Sequence, residues 1–303
     1  MKLQRLALTM VAISLFAATA APGPALAAVR PNSSSTSTAQ AAAVPCVNRI
    51  IWPDAANFVA EIETTAGKPP RLTDSYGLGT FVPNRSMTTW YITQSRSGTQ
   101  YSYGLLLQGA NLYRHTTFTG TIRTTTTTKL GTGWLSFKSI ATSRHTYPGP
   151  QHAYLYGLNN NGNLYRYAAN GAGYKAFGSF GGFKSFKTMA VISETATYDT
   201  LLMTTTAGAL YTIHIPVSAK AKPVVKLIRK SGWSSFESLH VEHCGWDGNS
   251  VVVGIDNNTD SGYQYHFTKA NGTATAITSY GKVPAVFNGA TAASRTMNEL
   301  IGE

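Results

Sequence analysis

Short runs in which apolar and polar residues alternate recur along the chain, separated by clusters of Gly, Asn and Ser. A two-residue period puts one side of a strand inward, so the pattern predicts β-strands and no long helix. The clearest stretch is Tyr154-Leu155-Tyr156-Gly157-Leu158, then Asn159-Asn160-Asn161-Gly162, then Asn163-Leu164-Tyr165-Arg166-Tyr167. Two alternating runs around an Asn-Gly-type turn predict a hairpin. The unit returns as Tyr103 to Leu107 followed by Asn111-Leu112-Tyr113-Arg114, and as Leu201 to Thr204 followed by Ala207 to Tyr211. A divergent copy runs from Val251 to Ile255 and resumes at Tyr263-Gln264-Tyr265.

A second pattern follows each Leu-Tyr pair: Gly133-Trp134-Leu135-Ser136-Phe137, Gly182-Phe183-Lys184-Ser185-Phe186 and Gly232-Trp233-Ser234-Ser235-Phe236. The first aromatic residues are 49 and 50 positions apart. One pitch upstream of Leu112, Phe58 to Ile62 reads as another alternating strand. A unit of this length holds about four short strands, the size of a propeller blade, and cannot bury its own faces alone. The expected fold class is therefore all-β, a β-propeller of five four-stranded blades.

The Gly-Trp-x-x-Phe-Lys segment, combined with Leu-Tyr after a hairpin turn, resembles the tachylectin-type lectin propeller repeat. The resemblance covers residues 100–240 by motif and the flanks by spacing. It implies five four-stranded blades and binding of N-acetylated amino sugars in pockets between neighbouring blades. The positions beside the aromatic residue, Leu135-Ser136, Lys184-Ser185 and Ser234-Ser235, lack the Asp or Asn common in that family, and Phe183 replaces Trp.

Aromatic faces stack on sugar C–H surfaces while amides and hydroxyls bond to sugar oxygens, and such rings also serve as core. The candidate carbohydrate-binding residues are Trp134, Phe137, Asn159, Asn160, Asn161, Phe183, Trp233 and Phe236.

The first residues have a separate reading. Lys2 and Arg5 precede an apolar run from Leu6 to Ala20, and Ala25-Leu26-Ala27 offers a signal-peptidase site. Residues 1–27 are read as a signal peptide, 28–43 as a disordered Ser/Thr/Ala-rich linker and 44–303 as one propeller domain. The apolar run is too short to span a membrane, and no later segment approaches that length. The protein is expected to be secreted, without a transmembrane segment in its mature form. In that oxidising compartment two cysteines, Cys46 and Cys244, fit a single disulfide that would clasp the first unit to the last.

Other chemistry is less well supported by the residues. His240, Glu242 and Cys244 would share one strand face, but zinc needs converging ligands that this run does not supply. The loop from Asp256 to Gly262 places oxygen donors at alternate positions, yet lacks the glycine and glutamate positions of a calcium loop. Glu61 and Glu63 share a face, whereas glycoside hydrolysis needs carboxyl groups opposed across a pocket. No metal, cofactor or catalytic residue is expected. Of 303 residues only 13% are charged, with a net +12, and Lys220, Lys222, Lys226, Arg229 and Lys230 fall together. That run is read first as a solvated face in a connection, and functionally as attraction to an anionic polymer; specific nucleic-acid binding is not expected. The function expected is binding of cell-surface or extracellular glycans. A propeller glycosidase, or a structural or protein-binding propeller without sugar sites, remains the alternative.

Overall fold

The computed structural model describes residues 46–52, 58–64, 69–77, 84–146, 148–218, 222–245, 247–288 and 291–303. The chain divides into two units, Met1–Ala41 and Ala42–Glu303. The signal-peptide and linker readings, and Lys220, lie outside the described residues. So do the side chains of Glu61 and Glu63, although their backbone is strand.

The second unit is all-β. Its strands are β1 (Cys46–Trp52), β2 (Phe58–Thr64), β3 (Arg71–Gly77), β4 (Ser86–Met87), β5 (Trp90–Gln94), β6 (Gln100–Gln108), β7 (Asn111–Thr119) and β8 (Arg123–Thr132). They continue as β9 (Phe137–His145), β10 (His152–Asn159), β11 (Leu164–Asn170) and β12 (Gly173–Phe180), then β13 (Phe186–Glu194), β14 (Tyr198–Thr205), β15 (Leu210–Pro216) and β16 (Val224–Arg229). The last are β17 (Ser238–His243), β18 (Ser250–Asp256), β19 (Ser261–Phe267), β20 (Ile277–Val286) and β21 (Ala293–Thr296). Among the described residues no helix is long and apolar enough to cross a membrane.

Strands β9–β12, β13–β16 and β17–β20 each form a four-stranded antiparallel sheet. The remaining nine strands form one sheet in the order β3-β2-β1-β21-β5-β6-β7-β8, with β4 also on β6. This sheet has a seam. Every pair in it is antiparallel except β21 with β5, which run parallel through Arg295↔Trp90 and Thr296↔Tyr91. On one side of the seam the C-terminal strand β21 completes the N-terminal meander β1–β3.

In the β9–β12, β13–β16 and β17–β20 sheets the last strand is the most exposed. In β9 all but two residues are buried, whereas β12 has none that is. The leading strands pack on one another: β9 on β13, β13 on β17, β17 on β1 and β21, β21 beside β5, and β4 on β9. That closed cycle follows from amphipathic sheets that must cover both faces. The core between β9–β12, β13–β16 and β17–β20 is one cluster built on Tyr156, Val191, Ile192, Leu202, Ile213 and Val252.

The two repeated motifs have fixed places. Leu112, Leu164 and Leu210 begin or follow the start of β7, β11 and β15; β11 and β15 are third in their sheets, β7 is third in the β5–β8 part of the nine-stranded sheet, and Tyr263 lies in the equivalent β19. The aromatic motif forms the turn that enters β9, β13 and β17. Cys46, at the start of β1, is disulfide-bonded to Cys244, just beyond β17, with Cα atoms 5.2 Å apart.

Candidate functional site

The Trp-x-x-Phe segment is a connector before it is anything else. The Trp134 N–H donates to Ala110 O (3.0 Å), the Phe183 N–H to Gly162 O (2.8 Å) and the Trp233 N–H to Gly208 O (3.1 Å). These carbonyls lie at the tips of the β6–β7, β10–β11 and β14–β15 hairpins. From the following sheet, the Asn160 N–H donates to Ser136 O (2.8 Å) and the Thr206 N–H to Ser185 O (2.9 Å). The Trp134 and Phe183 turns therefore each tie hairpin tips of two successive sheets, which explains why Gly and small polar residues surround them.

Its side chains point inward. Trp134, Phe137, Phe183, Phe186, Trp233 and Phe236 are all at least nine-tenths buried. Phe137 meets Tyr165 at 5.5 Å between centroids, Phe186 meets Tyr211 at 5.4 Å and Phe236 meets Tyr263 at 6.2 Å. The Tyr of each Leu-Tyr pair thus covers the Phe of the turn before its sheet. These rings are core, and only an exposed edge can touch a ligand.

One such edge opens into a cavity. A volume of about 240 Å³ between the sheets β5–β8 and β9–β12 is lined by Leu112, Leu130, Gly131, Thr132, Gly133, Trp134, Phe137, Tyr167 and Tyr174. Tyr167 lies 5.2 Å from the Trp134 ring and tilts across it. The indole Nε1 of Trp134 has no hydrogen-bond partner among the described residues. Burial pushes the Tyr174 phenol up to about 12, against an opposing hydrogen bond from Arg114, and raises Tyr167 as well. Both phenols are protonated at neutral pH and can donate. Among the described residues no carboxylate lines the cavity.

Gly131 creates the opening. It pairs with Leu112, and the positions paired with Leu164 and Leu210 in the next two sheets are Phe180 and Arg229. Phe180 packs on the core, and Arg229 donates to Thr275 O at 2.8 Å. Both place a large side chain where Gly131 has none. A Cβ on Gly131 would come within 3.9 Å of Trp134 Nε1, an ordinary contact.

The asparagine turn is elsewhere. Asn159, Asn160 and Asn161 do not line the cavity. Asn159 Nδ2 donates to Ser136 Oγ (2.9 Å), and Asn159 Oδ1 accepts the Asn161 N–H (3.0 Å). Asn161 Nδ2 donates to the Tyr165 hydroxyl at 3.2 Å. The amides of Asn159 and Asn161 build the hairpin; that of Asn160 is exposed. Sequence reasoning missed Gly131, Thr132, Tyr167 and Tyr174, which approach Trp134 from two sheets. The Tyr165-x-Tyr167 alternation was the one available signal.

The remaining candidates have structural partners. His240 and Glu242 are buried in β17, and burial lowers His240 to about 3 and raises Glu242 to about 7. Among the described residues no group of three His, Cys, Asp or Glu side chains is placed to hold a metal. In the 256–262 loop, Asp256 Oδ1 accepts the N–H groups of Asn258 and Thr259, as a turn requires. The basic run is not a loose connection: Lys226 and Arg229 belong to β16, and Lys226 lies 3.9 Å from Glu303.

No protein-family model matches the chain, and no curated protein matches it in sequence. Among solved structures it is similar to a fungal lectin of Aleuria aurantia, described as a six-bladed β-propeller with a fucose recognition mode. The match has 14% identity and TM-score 0.46, over 80% of this chain and 77% of that one. It is also similar to SapL1 lectin in complex with α-methyl fucoside, at 10% identity and TM-score 0.40, over 77% of this chain and 79% of that one. At this level of likeness neither a sheet count nor a ligand transfers.

Proposed function

We infer that this protein is a secreted five-bladed propeller that binds carbohydrate without hydrolysing it, and that the principal site is the cavity beside Trp134. The five-blade reading is supported by the three separate four-stranded sheets, by the parallel seam that splits the fourth into two four-stranded parts, and by the closed cycle of leading strands. Secretion is supported by the signal-like residues 1–27 and by the Cys46–Cys244 bond, which suits an oxidising compartment.

One observation carries the binding reading: an aromatic-walled cavity between sheets retains an indole N–H without a partner. At about 240 Å³ it falls below drug-sized pockets, which hold roughly 300–1,000 Å³, and suits one sugar ring. The faces of Trp134 and Tyr167 would take the apolar side of the ring or an acetamido methyl group. Trp134 Nε1, the Thr132 hydroxyl and the Tyr174 phenol would bond to its oxygens. Glycoside hydrolysis needs two carboxyl groups about the bond, and among the described residues none lines this cavity. An N-acetylated amino sugar is the proposed ligand, with the acetamido group as the part that fills the aromatic corner.

A glycan array with the exported protein tests the reading, with N-acetylglucosamine, N-acetylgalactosamine and α-methyl fucoside among its ligands. Retention of N-acetylated sugars, weakened about fivefold by Trp134→Phe, is the expected result for one lost neutral hydrogen bond. Retention of nothing would remove the carbohydrate reading.

A further inference from the structure

A second cavity lies on the axis of the leading strands, and the sugar reading does not use it. It measures about 340 Å³ and is lined from β4, β9, β13, β17 and the residues entering β21. Its mouth carries Arg85, Lys138, Lys187 and Glu237. Lys138, Lys187 and Glu237 are the residues that directly follow Phe137, Phe186 and Phe236, so the repeat itself arranges them around the opening.

The charges do not cancel. Three cations face a single carboxylate. Glu237 Oε1 lies 3.4 Å from Lys187 Nζ, and its Oε2 accepts the Asn257 N–H at 3.0 Å. Among the described residues Lys138 has no carboxylate partner; its Nζ donates to Lys184 O at 3.4 Å. Arg85 is held by the carbonyls of Gly109, Trp134 and Phe137, at 2.7 to 3.0 Å. Those bonds fix the guanidinium, and among the described residues no carboxylate pairs with it.

Donors stand one position further in. Ser139 and Thr188 line the cavity and are more than nine-tenths buried. Neither hydroxyl has a hydrogen-bond partner among the described residues. The neighbouring Ser86 Oγ, by contrast, accepts the Ile140 N–H, and Ser238 Oγ contacts His240 Nε2 at 2.9 Å. The Ser139 and Thr188 hydroxyls line the cavity beneath the cationic rim and can donate to an acceptor that enters it. Burial also holds the Lys138 ammonium below its usual range, as expected where its charge lacks a counterion.

We propose that the axial cavity binds an oxyanion, the carboxylate or sulfate group of an acidic saccharide, between the ammonium groups of Lys138 and Lys187 and the hydroxyls of Ser139 and Thr188. Charge-assisted bonds from the lysines would supply affinity and the two hydroxyls orientation. This site is separate from the Trp134 cavity and does not depend on it.

The test is calorimetric titration of the full chain with sodium sulfate and with methyl glucuronide at constant ionic strength, chloride serving as control. Binding of both probes is expected, weakened about tenfold or more in Lys138→Gln/Lys187→Gln, since each lost charged bond matters more than a neutral one. Glu237→Gln should tighten both. Binding of glucuronide alone would assign the site to the acidic sugar; binding of sulfate alone would assign it to free oxyanions and overturn the saccharide part. No binding of either, or equal binding by the folded double variant, would overturn the proposal. Trp134→Phe should leave sulfate affinity unchanged, and the lysine variants should leave the neutral sugar unchanged, so either site can fail without the other.

Discussion

Gly157 lies under the ring of Phe137, so close that a Cβ there would stand 2.7 Å from the ring carbons. Gly254 has the same relation to Phe236, also at 2.7 Å. Both glycines sit in the second strand of a sheet, where Gly157 pairs with Ile140 and Gly254 with Leu239, and each lies against the ring that ends the Trp-x-x-Phe turn. The ring needs the space that a side chain would occupy. Gly157→Ala should therefore destabilise the fold by about 1–3 kcal/mol, the cost of overpacking a core. Urea unfolding measures it, and an unchanged midpoint would show that Phe137 moves freely.

Gly131 makes the opposite prediction, because a Cβ there meets nothing closer than 3.9 Å. Gly131→Phe gives this position the residue found at Phe180. Sugar binding should be lost with little change in the thermal midpoint. Loss of both together would mean that Gly131 is needed by the fold and not by the cavity.

The repeat was legible because its residues are close in sequence. Leu112, Leu164 and Leu210 with their Tyr neighbours, and the aromatic turns at Trp134, Phe183 and Trp233, each mark one hairpin and one connector. What escaped the sequence depends on distant partners. Ala293–Thr296 is four residues long and has no visible period, yet it completes the sheet of β1 through Ile50↔Ser294 and Ile51↔Ala293. The leading strand before β6 is broken into β4 and β5, which no local pattern announces. Trp134 was visible as a candidate, but its cavity exists because Gly131 differs from Phe180 and Arg229, a distinction that appears only once strand register is known. The asparagines of 159–161 were read as ligands because turn chemistry and sugar chemistry use the same amides.

The disulfide closes a loop with a sequence separation of 198. In the chain-entropy picture such a closure contributes about 5 kcal/mol. Cys46→Ser/Cys244→Ser should lower the thermal midpoint markedly while leaving the circular dichroism of the cold protein all-β. Thiol titration of the unreduced, unfolded wild-type protein should find no free cysteine; two would contradict the bond.

Stability should change with pH in three stages. Burial raises Glu194 to about 8 and Glu242 to about 7, from 4.5. Their folded forms hold protons that the unfolded chain releases, so this stability is full below 4.5 and lost as pH rises through 7 to 8. Burial lowers His115 to about 4 and His240 to about 3, from 6.5. Their contribution is present above 6.5 and lost as pH falls toward 4 and 3. Between 4.5 and 6.5 the two pairs oppose, giving a plateau, with losses on either side. Urea midpoints across pH check this, and Glu194→Gln should flatten the alkaline loss. A midpoint that climbs from pH 6.5 to 8 would contradict the assignment of the buried carboxyls.

The most direct measurement is the side-chain N–H resonance of Trp134, assigned by its disappearance in Trp134→Phe and followed during titration with methyl N-acetylglucosaminide. A saturable shift of this resonance, with Trp233 unmoved because Arg229 stands in the corresponding place, is the predicted result. A Trp134 resonance that stays still while the sugar binds elsewhere, or while it fails to bind at all, would contradict the carbohydrate pocket.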